Sequence, residues 1–285
     1  MKFYSLLLLL ILSIDSFAAT YDIRLVISNG IIQPVSGVNL DVKSYESVGF
    51  SGSSDLFVWE VGDQINLKVV NFDNEIHGFY SEGLFDIASI PVGDSATQNI
   101  TISNPGIYRY FDPIDTERNA YIGLSGMIHV KFTGDPTNYF YWDIHDFEAS
   151  KNLLISGGGN PSFSDYDPEL FTINGNSNPE INNDAVARVT GSVGETFKII
   201  MINNGKAIHS MHFHGYHLII ENDSYKPANV GREKDTFPLY PGEFLLLSCT
   251  PDKPGEYPVH DHNLVAVTGN DVYANGMFTT MLISQ

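Results

Sequence analysis

The sequence has a single cysteine, Cys249, in 285 residues. A disulfide framework within the chain is therefore excluded, and stability has to come from packed cores, a metal or assembly. Positive charge is scarce as well: 15 Lys and Arg stand against 34 Asp and Glu, a formal charge of −19. Such a field repels phosphate backbones and draws in cations, which argues against nucleic-acid binding. Long 3.6-residue apolar periods with caps are missing, so at most short helical turns are expected. Beyond the N-terminus there is no uninterrupted apolar run long enough to span a bilayer, and no membrane segment is expected in the mature chain.

The N-terminus itself carries an export pattern. Met1-Lys2 precedes the apolar run Leu6 to Leu12, and small residues follow at Ser16 and Ala18. A basic start, a short apolar stretch and small residues read as a signal peptide over 1–18, which places the protein in a secreted or periplasmic setting. Cys249 lies in the apolar run Glu243 to Cys249 and reads as a buried structural thiol.

What is abundant is strand signal. Short runs rich in β-branched and aromatic residues recur at Tyr21–Ser28, Phe57–Glu60, Gln64–Val70, Ser95–Ile102, Gly106–Tyr110 and Met127–Phe132. A second series runs through Tyr139–Asp143, Ala187–Val189, Phe197–Ile202, Met211–Ile220, Glu243–Cys249 and Gly276–Ser284. Gly, Pro, Asn and Asp punctuate them, the pattern of sandwiches and barrels. At roughly 100–200 residues per domain the length suggests two units, and the turn-rich stretch Thr133 to Asn138 divides 19–133 from 139–285.

The halves echo each other. Val61-Gly62-Asp63 leads into an alternating strand ending at Asn71, and Val193-Gly194-Glu195 leads into one ending at Asn203. A His-Gly pair follows each, His77-Gly78 and His214-Gly215, and Pro105-Gly106 is matched by Pro254-Gly255. The chain reads as a duplicated all-β sandwich.

Six of the nine histidines fall in two clusters: His209, His212, His214 and His217 in one, His260 and His262 in the other. With a period of two along a strand, His212 and His214 share a face, and so do His260 and His262. Two such strands side by side make a wall of four imidazoles, a donor set suited to Cu, Zn, Fe or Ni. His217 falls outside the alternation, and His129 and His145 read as ordinary histidines.

His209-Ser210-Met211-His212-Phe213-His214-Gly215 resembles the H-x-x-H-x-H-G motif of multicopper oxidases, and His260-Asp261-His262 resembles their closing H-C-H segment. Phe171 to Gly175 is similar to the F-x-I-N-G entry of a family domain. Asp235-Thr236-Phe237 with Pro241-Gly242-Glu243 is similar to its D-T and P-G elements. The stretch from His260 to Gly276 also resembles the second domain of two-domain copper nitrite reductases.

The resemblance implies two tandem cupredoxin-like Greek-key β-sandwich domains, a copper cofactor, a small-molecule or redox partner and a homo-oligomer, a trimer in such families. It assigns His212, His214, His260 and His262 as ligands of a trinuclear or interdomain copper centre, and it draws in His209 and His77 at blue-copper histidine positions. The chain departs from the pattern where the family has its copper-binding cysteine: Asp261 stands there in the second half and Asp112 in the first, and Ala266 replaces the next blue-copper histidine. Asp261 is expected to accept a hydrogen bond from His209 in the vacated position. Ordinary laccase or nitrite reductase activity is disfavoured. Three readings stay open: a copper-binding multicopper-oxidase homologue, a non-catalytic binding or structural protein on the same scaffold, and a zinc hydrolase with Asp261 or Glu256 as base.

Overall fold

The computed structural model describes residues 18–49 and 51–285; most of the export pattern lies outside the described residues. Strands dominate because the apolar residues alternate. Gln64–Asn71 runs exposed and buried by turns up to its last three residues, which are all buried, and this places Ile65, Leu67 and Val69 in a core. Among the described residues, three short α-helices, Thr116–Tyr121, Ala149–Ser156 and Leu264–Val267, sit between strands.

The first half stacks two sheets. One runs Val38–Glu46, Thr20–Val35, Gln64–Asn71, Ser95–Thr101; the other runs Phe57–Glu60, Ser125–Lys131, Gly106–Phe111, His77–Ser81, Phe85–Ile90. In the second half the same orders recur. Leu170–Ile173, Asn138–Phe147, Phe197–Asn203 and Phe244–Cys249 match the first sheet, with Leu218–Asp223 and Glu233–Lys234 added at its edge. Thr190–Ser192, Phe278–Ser284, Gly255–Asp261, His209–Phe213 and Thr236–Leu239 match the second. Even strand direction is repeated: Thr20–Val35 with Gln64–Asn71, and Asn138–Phe147 with Phe197–Asn203, are both parallel pairs. The fold is all-β, as two cupredoxin-like sandwiches.

Each sandwich has its own core, around Tyr45, Phe79 and Tyr110 in the first and around Trp142, Phe213 and Phe237 in the second. Two further apolar clusters cross the seam. Val35, Leu40 and Tyr121 meet Phe147, Ile155 and Leu170, and Ile107 and Met127 meet Tyr141, Ile200 and Ile202.

Local readings needed correction in two places. Ala187 to Val189 is turn rather than strand, and the real strand begins at Thr190. The single strand expected over Met211–Ile220 is two, His209–Phe213 and Leu218–Asp223, broken at Gly215 with φ +79°. Apolar content alone does not reveal such a break; glycine supplies the left-handed backbone that a Cβ disfavours. Cys249 ends the strand Phe244–Cys249 in the second core, 5 % exposed, and burial pushes its thiol up to about 11. It belongs to a different sheet from His209, His212 and His260.

Candidate metal centre

The wall is assembled by strand register. His209–Phe213 and Gly255–Asp261 pair antiparallel with His212 directly opposite His260. The ring centroids of His212 lie 4.8 Å from His214, 5.6 Å from His260 and 5.4 Å from His262, and His214 and His260 are 5.1 Å apart. All four expected imidazoles therefore gather in one place. His214 and His262 are exposed and the other two half-buried, while Phe278 lies parallel to His260 with centroids 6.3 Å apart. His217 is exposed.

Hydrogen bonds fix which nitrogens are free. His260 Nδ1–H donates to the Asp261 carbonyl at 2.8 Å, which leaves a lone pair on Nε2. His214 Nε2–H donates to that lone pair at 3.0 Å. Desolvation and the neighbouring His212 and His260 rings lower the His214 pKa, so this ring favours neutral imidazole, the form that binds metals.

The donor set fits a copper ion in part. Two nitrogens each about 2.0–2.1 Å from one metal and roughly at right angles lie about 2.9 Å apart, close to the 3.0 Å between His214 and His260 Nε2. A metal there would take the place of the hydrogen the two nitrogens share, with His214 carrying its hydrogen on Nδ1 instead. The wall is nevertheless open. Among the described residues, the group of three whose donor atoms all come within 4.8 Å of one another is Asp73, Glu75 and His77. Cavities of about 270 and 220 Å³ lie elsewhere, one beside Lys43 and Arg118 and one between Ser54 and Tyr141.

Asp73, Glu75 and His77 already have their cations. Lys43 Nζ is 2.5 Å from both Asp73 and Glu75, and Arg118 bonds Glu75 at 3.1 Å. A metal there would have to displace an ammonium group.

A blue-copper centre does not fit either domain, because it needs a thiolate with two imidazoles. His209 is fully buried. Its Nδ1–H donates to Asp261 at 2.7 Å, as the sequence suggested, and its Nε2–H donates to Asp146 at 3.1 Å. Carboxylates only accept, so both ring nitrogens carry hydrogen and the ring is an imidazolium. His77 is held the same way, Nδ1 to Asp112 and Nε2 to Asp73, each at 2.7 Å. Neither His77 nor His209 has a nitrogen left for a metal. The Asp261 oxygens are likewise taken, by His209 and by the amides of Ser210 and Asn263.

These two Asp–His–Asp pins occupy equivalent places in the repeat. Asp112 accepts amides from Gly78 and Ile114 as Asp261 does from Ser210 and Asn263. The second carboxylate differs in origin. Asp73 lies in the loop before His77, and the loop position equivalent to it is Gly205; both donate their amide to the side chain of the residue two before, Asn71 or Asn203. Space explains the glycine: a Cβ there would come 1.9 Å from Asp146 Oδ2. Sequence reasoning missed Asp146, which reaches His209 from 63 positions away. The paired strands Asn138–Phe147 and Phe197–Asn203 carry it there, and no local pattern marks it.

The pin sets a pH dependence. Burial alone disfavours the imidazolium, but the hydrogen bonds and charges of Asp146 and Asp261 overcome it and raise His209 to about 9. His77 is raised for the same reasons by Asp112 and Asp73. Stability from both is fully present below the ordinary imidazole value of about 6.5 and is lost as pH rises through the folded values. Denaturant midpoints should therefore fall as pH rises through about 9. His209→Gln should shrink that dependence; an identical slope in wild type and variant contradicts the assignment.

Residues 158–283 match the family model described as multicopper oxidase. No curated protein matches the chain significantly. Among solved structures, a blue copper oxidase from Nitrosomonas europaea is similar at TM-score 0.78 and 21 % identity, over 93 % of this chain and 86 % of that one. The multicopper oxidase mgLAC gives 0.79 and 20 %, with the same 93 % and 86 % coverage. A copper nitrite reductase from Nitrosomonas europaea gives 0.69 and 14 %, over 93 % and 94 %. At these identities the structural likeness speaks for the fold.

Proposed function

From a chain that has the cupredoxin-like fold throughout and a multicopper-oxidase match over residues 158–283, we propose that it is a secreted copper-binding protein of multicopper-oxidase type. Copper is held at His212, His214, His260 and His262. The observation that carries this reading is the opposed His212–His260 pair, with His214 Nε2 at a separation that one metal can bridge.

The residues divide the work. His212 and His260, held on adjacent strands, present ring nitrogens from a rigid sheet, while His214 and His262 lie just beyond the strand ends. Water or a residue of another copy closes the open side, which fits an oligomer. Bound copper would supply one-electron chemistry toward a small-molecule or redox partner. The blue-copper route for electrons is missing, because Asp261 and Asp112 stand in the cysteine positions and are tied to His209 and His77.

A second reading, a scaffold protein without metal, draws support from the two pins, which give both sandwiches a buried ionic centre with no metal at all. Metal analysis of the purified protein separates the two. Copper near one equivalent or more per chain is expected, and preparations that neither carry nor take up copper overturn the proposal.

A further inference from the structure

Thr236 stands opposite His212 on the neighbouring strand Thr236–Leu239. Its hydroxyl has one proton to give, and the Asp235 carboxylate, an acceptor, lies 3.0 Å from Oγ1 and receives it. Oγ1 therefore turns a lone pair toward His212 Nδ1, 2.9 Å away. The second contact of that nitrogen is the Asp235 carbonyl at 3.2 Å, also an acceptor. With two acceptors facing it, Nδ1 carries the hydrogen, and Nε2 keeps its lone pair.

The first sandwich is an internal control. It has the same buried pin, His77 with Asp73 and Asp112, so the pin belongs to the fold. At the position of His212 it has Tyr80, opposite Asp86 on one side and Phe111 on the other. An imidazole oriented by a carboxylate-bound hydroxyl occurs there in the second sandwich and has no counterpart in the first. Its occurrence follows the histidine wall rather than the scaffold.

We propose that Asp235 and Thr236 form a positioning pair that fixes the ring orientation and tautomer of His212, so that Nε2 is the atom offered to the metal. The inference rests on the copper reading above, and it extends the site to two residues that do not touch the ion. Partners of this kind, which hold the far nitrogen of a ligand histidine, typically change metal affinity tenfold to a hundredfold when removed.

The test uses Thr236→Val, which keeps the shape and removes the nearer acceptor so that only the Asp235 carbonyl at 3.2 Å still faces Nδ1, Thr236→Ser, which keeps it, and Asp235→Asn. Nitrogen NMR of the imidazoles in metal-free protein reads the tautomer directly. Wild type and Thr236→Ser should show His212 with hydrogen on Nδ1, while Thr236→Val and Asp235→Asn should show a mixture. Cu(II) titration should give an affinity about tenfold to a hundredfold lower for Thr236→Val and near wild type for Thr236→Ser. An unchanged tautomer in Thr236→Val overturns the positioning role. Failure of wild type itself to bind copper overturns the metal reading instead, and the tautomer result on the metal-free protein still decides the pair.

Discussion

Replacing His209 by Ala is expected to lower the unfolding free energy by about 3–5 kcal/mol, the usual cost of removing one partner of a buried ionic pair. The size follows from what remains. Asp146 and Asp261 are both fully buried, and each bonds the same ring from opposite sides. Without the imidazolium, two carboxylates would share a dry site with no cation between them, although Asp146 would keep the Tyr166 hydroxyl and the Lys206 and Ala207 amides. One carboxylate would have to take up a proton, because like charges in one site cannot both stay ionised cheaply. A double-mutant cycle with Asp146→Asn checks the origin of the loss. Coupling of about 0.5–3 kcal/mol is expected between residues in direct contact. Simple additivity, or a loss below about 1 kcal/mol for His209→Ala, would show that the pin is not a stabilising unit.

The second large effect is on metal rather than stability. His212→Ala with His260→Ala should abolish copper binding, because these two side chains stand opposite each other in register and removing both leaves only His214 and His262, each just past a strand end. Both sites are only half-buried, so the folded state should lose far less than it does with His209→Ala. The two variants thus dissociate: His209→Ala weakens the fold, and the wall variant weakens the metal site. Unchanged copper stoichiometry in the wall variant would mean that the metal sits elsewhere.

Much of this was legible in the sequence, and the limits are instructive. Alternation put His212 and His214 on one face and His260 and His262 on another, and the internal repeat marked the sandwich units. The vacant cysteine position led to the Asp261–His209 bond, which the structure shows at 2.7 Å. Asp146, Lys43 and Thr236 were different. Their roles depend on which strand lies beside which, and in what register, and period-two patterning carries no information on either. Thr236 was visible as part of Asp235-Thr236-Phe237, but only the pairing of His212 with Thr236 turns a motif letter into a hydrogen-bond acceptor. His214 illustrates a further limit: its strand ends one residue earlier, yet its ring still lies 4.8 Å from His212.

The central claim is a copper site built of imidazoles without a thiolate, on a cupredoxin scaffold whose blue-copper positions are filled by hydrogen-bonded carboxylates. Loading the wild-type protein with Cu(II) and recording EPR together with the absorption spectrum tests it most directly. The account predicts bound Cu(II) with nitrogen coupling from histidine and no intense blue charge-transfer band, since Cys249 lies buried in the other sheet with its pKa raised to about 11. An intense blue band, or Cu(II) that remains free in solution, would contradict it.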